Sequence, residues 1–285
     1  MEVHPMRIPY FLSICTFIIA CGPQNETDDS GDPQDTGETV EGYPSSFESG
    51  SYRLSELSLN PLSEGVDQNG DDSADNNLPN ALTLIDAALA DQDFSFEGFN
   101  ELIAASIREQ VLNVLVSAQN TDRQLALSVF SGNWDAEAMN YYVDAGSYDE
   151  NGDPISTMDG YFSDETAYLV GAPSAVLPVT FIIEDGPLPV PLINATMMGS
   201  IDGDLLSGQI FGVIPGDEMV TNVIGPMIPE EGVGGQSKEQ ILELVQTLTS
   251  NDTLMDVPLE GEQRGISAAF TFSAPTQVFS LDSKE

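Results

Sequence analysis

Asp67, Asn69, Asp71 and Asp75 fall at positions 1, 3, 5 and 9 of the run Asp67-Gln68-Asn69-Gly70-Asp71-Asp72-Ser73-Ala74-Asp75. Oxygen side chains at that spacing are how a tight loop wraps a calcium ion. Two features of a full EF-hand loop are missing: position 6 is Asp72 where a glycine makes the sharp turn, and position 12 is Leu78 where a bidentate glutamate belongs. The run therefore reads either as a shorter, weaker Ca2+ site or as a solvated acidic turn. Asp149-Glu150-Asn151-Gly152-Asp153 has a similar look. It follows a strand-like run, however, so its spacing predicts a hairpin turn.

Other chemistry is narrowed by what the chain lacks. Its one histidine, His4, and both cysteines, Cys15 and Cys21, lie within the first 21 residues. Nothing beyond them can supply a Ser-His-Asp or Cys-His nucleophile system, a His-ligated zinc or a general-base imidazole. What remains is carboxylate, hydroxyl and lysine chemistry, and a glycosidase needs only an Asp/Glu pair roughly 5–10 Å apart. Ser237-Lys238 could suggest a Ser-Lys dyad. Gln240 three residues after Ser237 makes a capping box, and a lysine beside its serine at a helix start points to solvent. Trp134 and the tyrosines Tyr141, Tyr142, Tyr148, Tyr161 and Tyr168 could form a sugar-stacking surface or could pack strands together.

The N-terminus bears on what these residues are attached to. Ile8 to Ala20 is a 13-residue, mostly apolar run behind Arg7. A helix that crosses a bilayer needs roughly 20 residues, so the run fits the h-region of a secretory signal better than a membrane span. Met6 gives a tidier start than Met1, and either start leaves the same mature chain. Ile18-Ile19-Ala20-Cys21-Gly22 resembles the lipobox of bacterial lipoproteins, with a branched aliphatic three residues before the cysteine and a small residue just before it. The resemblance implies cleavage before Cys21, a diacylglycerol on its thiol and an acyl chain such as palmitate on the new amine. Two or more chains give stable anchoring where one gives only marginal binding. Gly22, with no aspartate after the cysteine, points to the outer membrane by the enterobacterial sorting rule.

From Gly22 onward the chain carries 46 acids and 6 bases, a net charge of −40. Residues 22–50 hold 8 acids and no base, but the excess continues to the C-terminus. Such a field repels phosphate backbones, which excludes nucleic acid as a partner, and it favours cations, basic partners or a salty habitat. Residues 21–52 combine Asp, Glu, Gly, Ser, Thr and Pro with few large apolar side chains, the composition of a disordered acidic tether. Residues 1–20 are then the signal peptide, 21–52 the lipidated cysteine and its linker, and 53–285 a single globular domain.

Within that domain, Asn80 is the expected cap of a helix over 81–90. Ser95 caps a second over 96–109, with Phe96, Phe99, Ile103 and Ile107 on one face. From Val111 the period changes to short strand-like runs separated by Asn151-Gly152, Asp185-Gly186 and Asp202-Gly203-Asp204. The capping box at Ser237 opens a helix to about 248, and ISAAFTF closes the chain as a strand with Ile266, Ala268, Phe270 and Phe272 on one face. The fold expected is mainly β, in the α+β class: an antiparallel β-sandwich or barrel-like domain with a few peripheral helices. The order of lipobox, acidic tether, Asp75-Asn76-Asn77-Leu78 and a β-rich body ending in IS-x-x-F-x-F-x-A resembles the uncharacterised predicted lipoproteins of myxobacteria-like Gram-negatives. The function expected is a membrane-anchored, non-enzymatic binding or scaffolding role toward a protein or glycan partner. The rival is a carboxylate-dependent hydrolase such as a glycosidase.

Overall fold

The computed structural model describes residues 42–284 except 69, 71–72, 89–94, 178–189, 226–227, 233–234, 250–253 and 260–262. Cys21, the signal and residues 21–41 of the acidic tether lie outside the described residues, as do Asn69, Asp71 and the Asp185-Gly186 turn. Residues 39–285 form one compact unit.

The protein is mainly β, a strongly curled antiparallel sheet with few helices. The barrel wall is β1 (Ser49–Arg53), β2 (Glu56–Leu59), β3 (Val114–Thr121), β4 (Gln124–Asp135), β6 (Thr157–Phe162), β7 (Ala167–Leu177), β8 (Val190–Asp202), β9 (Leu205–Pro215) and β11 (Arg264–Pro275), with the short β10 (Val257–Pro258) beside β11. The order β1-β3-β4-β6-β7-β8-β9-β11 is a meander in which sequential strands are neighbours. Gly203, at φ +56°, lets the Asp202-Gly203-Asp204 turn join β8 to β9 with the strand pairing intact up to Asp202 and Leu205.

The two ends of that meander meet in one stretch of chain. β1 pairs with β3, while β2, which follows after Leu54 and Ser55, pairs with β11. Tyr52 faces Val116 on one side and bridges Thr276 on the other, and the Gln277 amide donates to the Ser51 carbonyl at 2.8 Å. The kinked strand thus closes the sheet. That link covers edges of β3 and β11 that a long antiparallel sheet would otherwise leave open.

The interior is filled by side chains that alternate inward, among them Tyr52, Val116, Leu127, Met158, Phe162, Tyr168, Met197, Ile210, Phe270 and Phe272, all within one buried cluster. Residues 42–48 cross one end. The Tyr43 amide donates to the Phe162 carbonyl at 2.8 Å, Asn120 Nδ2 donates to the Phe47 carbonyl at 2.8 Å, and the Phe47 ring lies 5.8 Å from that of Phe162. The folded part therefore starts before residue 53: this strap and β1 belong to it, with Phe47 and Tyr52 hidden among the Ser, Gly and Glu that read as tether.

Helices feed the same core from the end of β3 opposite the strap. α1 (Leu78–Ala88) buries Leu78 and Leu82, and α2 (Phe96–Arg108) buries Phe99, Ile103 and Ile107. After β9 come α3 (Gly216–Glu218), a single turn, and the π-helical turn 219–224. α4 (Lys238–Thr249) adds Ile241 and Val245 to the core. Ser95 Oγ accepts from the Gly98 amide at 3.0 Å, the cap expected for α2. α1 starts three residues earlier than its expected bounds, because the Ala81 amide already bonds the Asn77 carbonyl and Asn77 Oδ1 accepts from Asn80 Nδ2.

Two further strands form a small sheet of their own: the strand-like run before Asp149 is found as the first, and the second was not legible in the periodicity. β4 overshoots the barrel and pairs antiparallel with β5 (Asn140–Asp144); β12 (Phe279–Lys284) then lies parallel to β5. Among the described residues the β5–β12 pairing is the one departure from the antiparallel plan, and β12, not the ISAAFTF strand, is the last described element.

Candidate functional site

The acidic loop resolves into hydrogen-bonded turns. Asp67 Oδ1 accepts the Gly70 amide at 2.6 Å, and Asp75 Oδ2 accepts the Gln68 amide at 2.7 Å across the Val66–Asp75 bridge. Asp67 and Asp75 are thereby brought into one loop, with Asp75 only 7% exposed. Among the described residues no group of three or more His, Cys, Asp or Glu side chains is placed to hold a metal. Asn69 and Asp71, the other two expected ligands, are outside those residues.

The segment that follows, Asp75-Asn76-Asn77, is a stitch. Asn76 Nδ2 donates to the carbonyls of Asn60 (2.8 Å) and Pro61 (3.0 Å), while its Oδ1 accepts the Ala269 amide at 3.1 Å. The Asn77 amide bonds Ser267, whose own amide reaches Asp256 Oδ1 at 2.9 Å. Asp75-Asn76-Asn77 and Ile266-Ser267, nearly two hundred residues apart in sequence, are thus one unit. They supply partners to the stretch of the β11 edge between β2 and β10. Ser267 is fully buried, and the motif is structural.

The remaining sequence candidates are also turns and caps. Asp149 Oδ1 accepts the amides of Asn151 (2.8 Å) and Asp153 (2.9 Å), and Gly152 at φ +84° completes the turn. The amides at Asp153 and then Asn151 hold the Asp149 carboxyl below the ordinary carboxylate range. Asp164 is likewise lowered by the amides of Ala167 and Thr166, and Glu239 by the Ser237 hydroxyl. Stabilised anions at exposed turns and a helix start make poor proton donors. Ser237 completes the capping box, its amide donating to Gln240 Oε1 at 3.0 Å, and Lys238 pairs with Glu230.

The aromatics divide by strand alternation. Trp134 and Tyr141 are cross-strand partners with ring centroids 4.7 Å apart, and they pack with Leu115, Phe130 and Val143 in a second buried cluster. Phe279 and Tyr148 close that cluster from β12 and the turn, with Tyr148 Oη donating to the Leu281 carbonyl at 2.8 Å. The Arg53 guanidinium sits 4.9 Å from the Tyr141 ring centre, its Nε and Nη2 donating to Asn113 Oδ1. Tyr168 is interior, its hydroxyl buried with no hydrogen-bond partner, and burial followed by the neighbouring Tyr52 pushes its pKa up. These rings pack the fold.

Tyr142 belongs to the opposite face of the small sheet. It pairs with Asn133, which donates from Nδ2 to Asp144 Oδ2 at 3.0 Å, and the next pair on that face is Asp135 with Asn140. Below the β4–β5 turn these strands form a groove of about 290 Å³ lined by Asn133 to Glu137 together with Tyr142 and Val143. Asp135 Oδ1 shapes the turn by accepting the amides of Glu137 (2.8 Å) and Ala138 (3.0 Å). At its tip Met139 is 73% exposed with φ +53°. Sequence reasoning named the aromatic residues but not the groove, which depends on β4 running past the barrel edge.

A second groove, about 450 Å³, lies between β2 and α2, lined by Glu56, Ser58, Glu101, Ala104 and Arg108 among others. Asn100 occupies its end as a substitute for a strand partner, accepting the Leu59 amide at 2.7 Å and donating to the Leu59 carbonyl at 3.2 Å. Among the described residues no helix is long and apolar enough to cross a membrane. Compared with known proteins, the chain matches no family model, no curated protein and no solved structure.

Proposed function

We propose that the chain is an exported lipoprotein of the cell envelope, anchored in the outer membrane by acyl chains on Cys21, whose folded part binds or scaffolds a protein or glycan partner. The observation that carries the binding role is the groove below the β4–β5 turn. It is a concave, partly aromatic surface on a sheet that projects from a barrel whose own interior is filled. A filled barrel is a rigid support, and binding surfaces carried by projections of rigid scaffolds are common.

The test is fractionation of cells that produce the wild-type chain or Cys21→Ser. The wild type partitions with outer-membrane fractions and detergent phases; the variant accumulates as uncleaved precursor. Equal partitioning of both into the aqueous phase removes the anchor from the account.

A further inference from the structure

We propose that the groove between β2 and α2 takes one extended strand of a partner polypeptide, with a small apolar residue paired to Leu57 and a basic residue beside it. The surface shares no lining residue with the groove below the β4–β5 turn, and the inference does not depend on that reading.

The strand edge is the first argument. Among the described residues β2 pairs along one side only, with β11. The Asn60 amide donates to the Ala269 carbonyl at 2.8 Å, and in the same register Ser58 turns its backbone to β11 while Leu57 and Leu59 turn theirs the other way, toward α2. At Leu59 that outward pair is met by Asn100, whose Oδ1 accepts the amide and whose Nδ2 donates to the carbonyl. One carboxamide thus stands where a residue of a neighbouring strand would. Two residues back, the Leu57 amide and carbonyl have no partner on that side among the described residues. The Leu57 side chain is in the core, so its backbone is what lines the groove. A strand edge that presents an unpaired donor and acceptor is a template for adding a further strand.

Room and charge select the occupant. The groove is about 450 Å³. A residue paired with Leu57 sends its side chain to the same face as Leu57, where Ala104 on the helix wall leaves space for a small apolar group. The next residue along points outward, to the exposed side shared by Glu56 and Ser58. Glu56 on the strand wall and Glu101 on the helix wall are both exposed, and neither carboxylate is ion-paired among the described residues. Arg108 also lines the groove, but it lies about two helical turns from Glu101. Arg53, beside the same end of α2, is held by the Ile107 carbonyl, by Asn113 and over the Tyr141 ring. A lysine or arginine beside the paired residue therefore meets Glu56 and Glu101, on a chain of net charge −40. Residues 22–41, from this chain or a second copy, bring acids and no base and would be repelled. A neutral glycan would leave both carboxylates unanswered.

The experiment is titration of the isotope-labelled full chain with the end-blocked peptide Thr-Lys-Val-Lys-Thr, followed by NMR and hydrogen exchange at the Leu57 amide. Comparison probes are the same peptide N-methylated in turn at its three central residues, Thr-Glu-Val-Glu-Thr, and chitohexaose. Saturable binding that shifts and protects the Leu57 amide is expected. N-methylation of the residue that donates to Leu57 should weaken it by about tenfold, since it deletes that donor. Ala104→Phe should do the same by filling the groove from the exposed helix wall. Glu56→Gln with Glu101→Gln should weaken it by about fivefold, while Asp164→Asn with Glu165→Gln, the same charge removed from the β6–β7 turn, should leave it within about twofold. Each variant is first checked for wild-type melting, and Ala104→Leu replaces Ala104→Phe if the larger side chain lowers it. If every N-methylated form binds like the parent, or the distant pair weakens binding as much as the groove pair, the peptide meets only a diffuse acidic field and the proposal fails. Equal binding of Thr-Glu-Val-Glu-Thr with the same Leu57 response overturns the basic residue. Chitohexaose shifting the Leu57 amide where no peptide does overturns the polypeptide occupant. A Leu57 amide that no probe moves overturns the site.

Discussion

Replacing Asn76 with alanine should be among the most damaging single changes to this barrel outside its apolar core. The side chain is 3% exposed and joins three backbone groups: the carbonyls of Asn60 and Pro61 and the amide of Ala269. Truncation strands all three. A buried polar group left without a partner costs about 1–3 kcal/mol, and water entering the small space recovers part of it, so the net loss should be about 3 kcal/mol. For a domain of this size each kcal/mol moves the melting point by about 2–4 °C, which gives a fall of about 6–12 °C. Urea unfolding should show a lower midpoint at unchanged slope. Hydrogen exchange should quicken at the Ala269 amide before it does so elsewhere in β11. A loss below about 1 kcal/mol with the Ala269 amide still protected would refute the stitch, since it would mean the β11 edge finds its partners elsewhere.

Tyr168→Phe should leave stability unchanged or raise it by about 1 kcal/mol, because it deletes a buried hydroxyl that has no partner; a clear loss in thermal melts would show that the hydroxyl is bonded. Tyr52 and Tyr168 both titrate above the ordinary tyrosine value, chiefly through burial. Their neutral form is favoured by folding, so their contribution is complete below about pH 10 and lost as pH rises further. Alkaline unfolding followed at 295 nm should thus be cooperative with tyrosinate formation, and Tyr168→Phe should shift it to higher pH. Sodium chloride should raise the melting temperature across physiological ionic strength by screening the net charge of −40, whereas a flat response would mean the acids are already offset. If the Asp67–Asp75 loop takes calcium, its titration should give a Kd of about 10⁻⁴ to 10⁻³ M and a raised melting point, both abolished in the Asp67→Ala, Asp71→Ala variant. Identical heats in the two proteins would leave the loop as a turn.

Local physics wrote much of this fold into the sequence. The Ser95 cap, the Ser237 capping box and the Asn151-Gly152 and Asp202-Gly203-Asp204 turns are decided within a few residues, and each is found where its spacing places it. The closure of the barrel is not local. Tyr52 has partners 64 and 224 residues away, at Val116 and Thr276, and no period in SYRLSELSL says that its halves pair with different strands. The strap failed for the opposite reason: Phe47 is one apolar residue in a polar neighbourhood, and its value comes from Phe162. For the groove, residue types were visible and sidedness was not. Alternation sends Trp134 and Tyr141 inward and Tyr142 outward only because β4 continues past its barrel neighbours to pair with β5.

The proposed anchor at Cys21 would decide where the barrel works and which partners can meet it. Intact mass analysis of the mature N-terminal peptide from membranes tests it directly. The expected product is a chain that begins at Cys21 and carries a diacylglycerol thioether together with an acylated amine. A mature chain that begins at any other residue, or an unmodified Cys21, would contradict it.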